Sequence, residues 1–172
     1  KIPPHEKTQD PGIHEWLYMG YEAPLWKKPG EEMNYCNYGF ELLGEIIRRV
    51  SGMSLPDFAN ERIFKPLGMK DTSFGVPDSK ISRVLHMPEN AIYKRAVNPR
   101  KFKSFSACGG AFSTLEDLAI FGQMFLNKGT YNGVRILSKA TVASMTRNQI
   151  PGVSSLYNGL LFKEATWGLG WC

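Results

Sequence analysis

Between Tyr38 and Val50 the apolar residues Phe40, Leu43, Ile47 and Val50 recur at helical spacing, while Glu41, Glu45, Arg48 and Arg49 fall largely elsewhere. That period predicts a helix, and Gly52 just beyond it supplies the usual stop. Ser54 followed by Asp57 resembles an N-cap with an acid at the third position; the helix it starts should end near Phe64, because Pro66 cannot continue it. A turn through Leu67-Gly68-Met69 follows. Ser113 and Glu116 form a capping box for a helix carrying Leu118, Phe121, Phe125 and Leu126, ended by Gly129. Asn132-Gly133, between Tyr131 and Val134, signals a type I′ hairpin, and Ser138 caps a short helix through about Met145. Trp167-Gly168-Leu169-Gly170-Trp171 alternates large residues with glycine and reads as a strand entering a sheet, with no visible partner for its ladder.

Two stretches show no sustained period. Residues 1–34 hold five prolines and read as an irregular lead-in, with a short helix around His14 to Met19 that something else must pack against. Residues 75–105 mix proline, asparagine and charge, and form a long excursion of a kind that often carries function.

Composition narrows the class. A chain of 172 residues with 42% hydrophobic residues can build one globular core. No apolar run approaches the roughly 20 residues of a membrane-spanning helix, and the first residues carry no secretion signal, so localisation cannot be read. Cys36, Cys108 and Cys172 are too far apart for C-x-x-C metal spacing and odd in number, which favours buried or idle thiols. No cofactor motif stands out. Five of the 21 basic residues, Lys94, Arg95, Arg100, Lys101 and Lys103, cluster beside Tyr93, Phe102 and Phe105. Such a cluster invites a nucleic-acid reading, but no binding motif surrounds it, and a solvated loop explains it better.

Several ordered blocks carry a resemblance. Pro29-Gly30 is followed by Tyr35-Cys36-Asn37 and then by Gly39-Phe40 opening a helix. Ile63-Phe64-Lys65-Pro66-Leu67-Gly68-Met69 to Phe74, Gly109-Gly110-Ala111-Phe112-Ser113-Thr114 to Leu118, Ser138 to Gln149, and Trp167 to Trp171 come next in order. Together these resemble the class C β-lactamase and penicillin-binding family of serine hydrolases, across residues 29–171 apart from the excursion. A lone Tyr-x-Asn is weak evidence, since a turn asparagine beside a packed aromatic looks the same; the ordered set is strong.

The resemblance implies chemistry in which a serine is acylated and the ester then hydrolysed, one hard step divided into two. The family carries that serine in Ser-x-x-Lys and lines the opposite wall with Lys-Thr-Gly or His-x-Gly. Neither occurs here: no serine has lysine three positions on, no histidine begins His-x-Gly, and Lys128-Gly129-Thr130 has the wrong order. What the resemblance leaves is the middle motif. Tyr35 would help take the nucleophile's proton and pass it to the leaving group, and Asn37 would hydrogen-bond the substrate amide or the motif lysine. A phenol with a pKa near 10 needs neighbouring cations to act as a base, and those sit on the absent motifs. Cys36 stands where relatives often carry serine and reads as a small buried side chain. Gly109 and Gly110 border the substrate cleft in relatives; their lack of a side chain would let backbone approach a ligand, although a simple turn explains them equally well.

The expected architecture is mostly α within an α+β parent: the helix-rich lobe of the β-lactamase and DD-peptidase fold, as a single partial domain with a few short antiparallel strands near residues 131–137 and after Trp167. The expected partners are a small ester, amide or β-lactam substrate of the parent and flanking segments of the same fold, with no nucleic acid, no membrane span and no cofactor. Members of the family are often bacterial, periplasmic or cell-surface proteins. A rival reading is a binding or scaffold domain that keeps the cleft without the chemistry.

Overall fold

The computed structural model describes residues 17, 20–21, 23–85, 106–157 and 160–172. Of the helix expected at 14–19, Leu17 alone falls among them; it is helical and buried. The basic cluster at 94–103 lies outside the described residues.

A two-residue strand, β1 (Glu32–Met33), precedes helix α1 (Asn37–Ser51). The helix covers the predicted span with one residue more at each end, and Gly52 closes it at φ 68 with its N–H bonded to the Arg48 carbonyl. An apolar stripe ordinarily turns a helix toward the core. Here the opposite side is inside: Glu41 and Glu45 are 5% and 8% exposed, while Leu43 and Val50 are 55% and 83% exposed. Each buried carboxylate is surrounded by donors, Glu45 by Arg48 and Arg49 and Glu41 by residues 106–108. Hydrogen bonding therefore sets the inward face of α1, because a buried charge is tolerated only when it is paired.

Helix α2 runs through residues 55–67 in three pieces: α-helical Leu55–Ala59, a π turn over Asn60–Phe64, and α-helical Lys65–Leu67. Its N-cap is the expected one, with the Ser54 hydroxyl accepting from the Asp57 N–H. Its end is not. In the π turn the Lys65 N–H reaches the Asn60 carbonyl, five residues back. The wider turn accommodates Pro66, and the helix continues to Leu67 before Gly68 ends it at φ 73.

Strand β2 (Ser73–Phe74) pairs antiparallel with β3 (Ala111–Phe112), and a 3-10 helix, Asp78–Arg83, occupies the start of the excursion. Lys80 and Arg83 both reach back to Asp71, whose carboxyl they hold well below the usual carboxylate range. Helix α3 (Leu115–Leu126) is capped by Thr114 rather than Ser113: the Thr114 hydroxyl accepts from the Asp117 N–H. Ser113 instead sits with its hydroxyl 2.8 Å from that of Thr72, so a tertiary contact chose between two adjacent hydroxyls. Buried Asp117 also accepts from the Asp71 N–H at 2.7 Å and the Thr72 hydroxyl at 2.8 Å, locking the approach to β2 onto α3.

Strands β4 (Thr130–Tyr131) and β5 (Val134–Arg135) form the predicted hairpin, with Asn132 and Gly133 at φ 44 and 79 as a type I′ turn requires. Helix α4 (Lys139–Thr146) follows, capped by Ser138 as expected. Two strands then appear that the sequence pattern did not announce, β6 (Ser154–Tyr157) and β7 (Leu160–Phe162). They join β1 in a sheet of order β1-β6-β7, whose β6–β7 pair is antiparallel and whose β1–β6 pair is parallel.

Leu67, Met69, Met124, Phe125 and Val142 make the buried core, contributed by α2, α3 and α4. The expected strand at Trp167–Trp171 is absent. The segment turns over the end of α4, with the Gln149 N–H donating to the Trp167 carbonyl and the Leu169 N–H to the Met145 carbonyl. A Cβ at Gly168 would lie 2.1 Å from the Met145 carbonyl oxygen, and Gly170 sits at φ 85, so these glycines serve close approach and a turn. Trp171 ends edge-on to Phe125, at 4.7 Å between ring centroids. The whole is the mostly helical lobe expected, with one parallel strand pair among its short sheets.

Candidate active site

Leaving β1, the chain is extended at Cys36 (φ −141, ψ 113) and enters α1 at Asn37. That extended entry places Tyr35 ahead of the helix, 44% exposed, with its ring 6.0 Å from that of Trp167 and tilted by 50°. Tyr35 lines a cleft of about 330 Å³. Met33, Phe162, Ala165 and Trp167 give the cleft an apolar wall, and Ser155, Glu164, Thr166 and Cys172 add polar groups. The Ser155 hydroxyl is directed at the Met33 sulfur, 3.3 Å away, and Glu164 accepts from the Gly152 N–H at 3.3 Å. A phenol beside an apolar cleft with few polar groups suits a small substrate whose orientation those groups fix.

The other sequence candidates occupy different places. Asn37 is exposed on the first residue of α1 and is not among the residues lining the Tyr35 cleft. Cys36 is exposed, not the small buried side chain expected, because the extended turn into α1 gives it no neighbouring wall. Of the other two thiols, Cys172 is exposed and Cys108 half-buried; burial pushes the Cys108 thiol up.

Gly109 and Gly110 lie just before β3, in a turn closed by the Gly110 N–H on the Ser106 carbonyl at 2.9 Å. They differ in kind. A Cβ at Gly110 would meet the Ser106 backbone oxygen and nitrogen at 2.6 and 2.7 Å, so this position requires glycine for packing. A Cβ at Gly109 would meet nothing within 4 Å, and Gly109 alone keeps an open face. The turn is fastened to α1 by Glu41, a residue the sequence pattern placed among the polar positions and gave no role. Burial works to raise the Glu41 carboxyl, but hydrogen bonds from Ser106, Ala107 and Cys108 outweigh it and hold the group below its ordinary range. Phe162 and Trp167 were likewise missed as cleft residues; the only signal was aromatic character beside glycine at Trp167.

Among the described residues no group of three or more His, Cys, Asp or Glu is placed to hold a metal ion, and no helix is long and apolar enough to cross a membrane.

This fold and this tyrosine-bearing helix entry are those of the beta-lactamase family, and the chain belongs to it: the family model described as Beta-lactamase matches residues 3–172. Among curated relatives, a Salmonella typhi protein named "Putative D-alanyl-D-alanine carboxypeptidase" is 29% identical over 176 residues, covering 90% of this chain and 38% of the relative. The chain thus spans about 38% of the length of the curated relatives it matches. Among solved structures, the D-amino acid amidase from Ochrobactrum anthropi SV3 is similar at 27% identity and a TM-score of 0.64, covering 84% of this chain and 41% of the amidase. The octameric penicillin-binding protein homologue from Pyrococcus abyssi is similar at 25% identity and a TM-score of 0.66, covering 92% of this chain and 34% of that one.

Proposed function

We propose that this chain forms the tyrosine-bearing wall of a serine hydrolase that cleaves an ester or amide through an acyl-serine, with the nucleophile on polypeptide outside residues 1–172. The observation that carries this reading is Tyr35: it stands at the mouth of α1 and on the wall of the 330 Å³ cleft. The absence of Ser-x-x-Lys from the sequence, and a span of 38% of the relatives' length, support a nucleophile elsewhere. In this reading the Tyr35 hydroxyl takes the proton of the attacking serine and returns it to the leaving group. Asn37 contacts the substrate amide or the lysine of the absent motif, and Gly109 offers open backbone to the substrate. The relatives' names point to D-amino-acid amides or peptides, and β-lactams and carboxylesters share the same reacting carbonyl.

The chain by itself should neither hydrolyse a p-nitrophenyl ester nor take up a fluorophosphonate or penicillin adduct, because no serine in it has a lysine within helical reach. Intact-mass spectrometry decides this, and a stoichiometric adduct on any serine here would relocate the nucleophile. In the longer polypeptide, Tyr35→Phe keeps the ring and removes the proton-carrying oxygen, so kcat should fall by about 100-fold to 10,000-fold. A second reading, binding without chemistry, draws on the same absence of a nucleophile; it predicts substrate binding by the longer polypeptide with neither adduct nor turnover.

A further inference from the structure

Glu41 lies one helical turn beyond Asn37 and is 5% exposed. Its carboxylate accepts the Ser106 hydroxyl, the Ala107 N–H at 3.1 Å and the Cys108 N–H at 3.4 Å. All three donors come from three consecutive residues, 65 to 67 positions further along the chain. Successive donors that converge in this way form an anion-accepting nest, here filled by the protein's own side chain. The Ser106 hydroxyl also lies 3.1 Å from the Cys108 sulfur, so the thiol reports on the nest from within. Helix and turn touch directly as well: a Cβ on Gly44 would lie 2.8 Å from the Ala107 methyl carbon. Glutamine could not replace the acid, since one amide oxygen would face three donors and its NH2 would be turned toward N–H groups.

We infer that Glu41 is a positioning residue: by filling the 106–108 nest it fixes the Gly109–Gly110 turn relative to the Tyr35–Asn37 end of α1. The nest stands on geometry alone, and its consequence for turnover rests on the functional reading above. In Glu41→Ala the three donors face an empty, carboxylate-sized space that formate can refill. In Glu41→Gln the space is occupied and formate has no room.

Two measurements test this. In this chain, with Cys36 and Cys172 changed to serine, the rate of Cys108 modification by a disulfide reagent should rise by about 10-fold in both Glu41 variants, since the thiol loses its anionic neighbour. Formate should restore slow modification in Glu41→Ala alone, and chloride at equal ionic strength should not. In the longer polypeptide, Glu41→Ala should raise KM for an ester substrate by about 10-fold with a smaller change in kcat, as loss of a substrate-holding wall does, and formate should reverse it. If Glu41→Ala does not fold, Glu41→Gln decides the matter through its own Cys108 rate and KM. Equal effects of formate and chloride, or wild-type behaviour of Glu41→Gln, would overturn the nest. Formate-sensitive Cys108 with an unchanged KM would overturn the positioning role. A Tyr35→Phe enzyme with normal turnover would sink the functional reading and leave the nest standing.

Discussion

Replacing Gly110 with alanine adds one methyl group where two backbone atoms already stand. The new carbon would lie 2.6 Å from the Ser106 oxygen and 2.7 Å from its nitrogen, against ordinary contacts of about 3.5–4.0 Å. Neither neighbour can rotate away as a side chain would. Ser106 is held by its own bond to Glu41, and its carbonyl already accepts the Gly110 N–H. Relief therefore requires opening the turn, and overpacking of this kind costs about 1–3 kcal/mol. Gly109 provides the control from the neighbouring position. Its Cβ would meet nothing within 4 Å, so Gly109→Ala should change stability by less than about 1 kcal/mol, in the stabilising direction if the unfolded chain is stiffened. With a urea slope of about 2 kcal/mol per molar, a separation near 2 kcal/mol moves the midpoint by about 1 M. The four tryptophans give the unfolding signal. Coincident urea midpoints for the two variants would refute the close packing assigned to Gly110.

The Glu45 carboxyl is held at about 2, chiefly by the Arg48 hydrogen bond, against burial and with help from Arg49. Its folded-state value lies below its unfolded one, so its contribution is complete above about pH 4.3 and fades as pH falls toward the folded value. The Tm gap between the wild-type chain and Glu45→Gln should accordingly be present at neutral pH and closed near about pH 2; a gap that ignores pH would remove the ion pairs as its source. Met124 is 1% exposed at the centre of the core, so Met124→Ala should cost about 2–5 kcal/mol in urea unfolding. A smaller loss would mean that α3 and α4 close over the cavity.

Features whose partners are close in sequence are legible from the residues alone. The Ser54 and Ser138 caps each bond an N–H three residues on, and the Asn132-Gly133 turn needs only its own two positive φ values. The cap of α3 falls one residue from its expected place because Ser113 and Thr114 are both hydroxyls with an acid three positions later; the bond from Ser113 to Thr72, 41 residues away, makes the choice. The α1 period locates the helix but not its inward face, since the donors that bury Glu41 come from residues 106–108. In the site, the motif is enough to find Tyr35. It does not reveal the cleft, because Phe162 and Trp167 arrive from a strand and a turn whose placement depends on β1 and on the end of α4.

The π turn in α2 makes chain length, as well as residue identity, a determinant of the core. Five residues close a ring there that four close elsewhere. Removing one residue from 60–64 would restore a continuous α-helix and rotate everything after it by about 100°. Leu67 and Met69, 4% and 5% exposed, would then swing away from Met124 although every apolar side chain of the core was retained. A single-residue deletion here should therefore be more damaging than most substitutions at the same positions, and inserting one residue within the following turn should partly undo it.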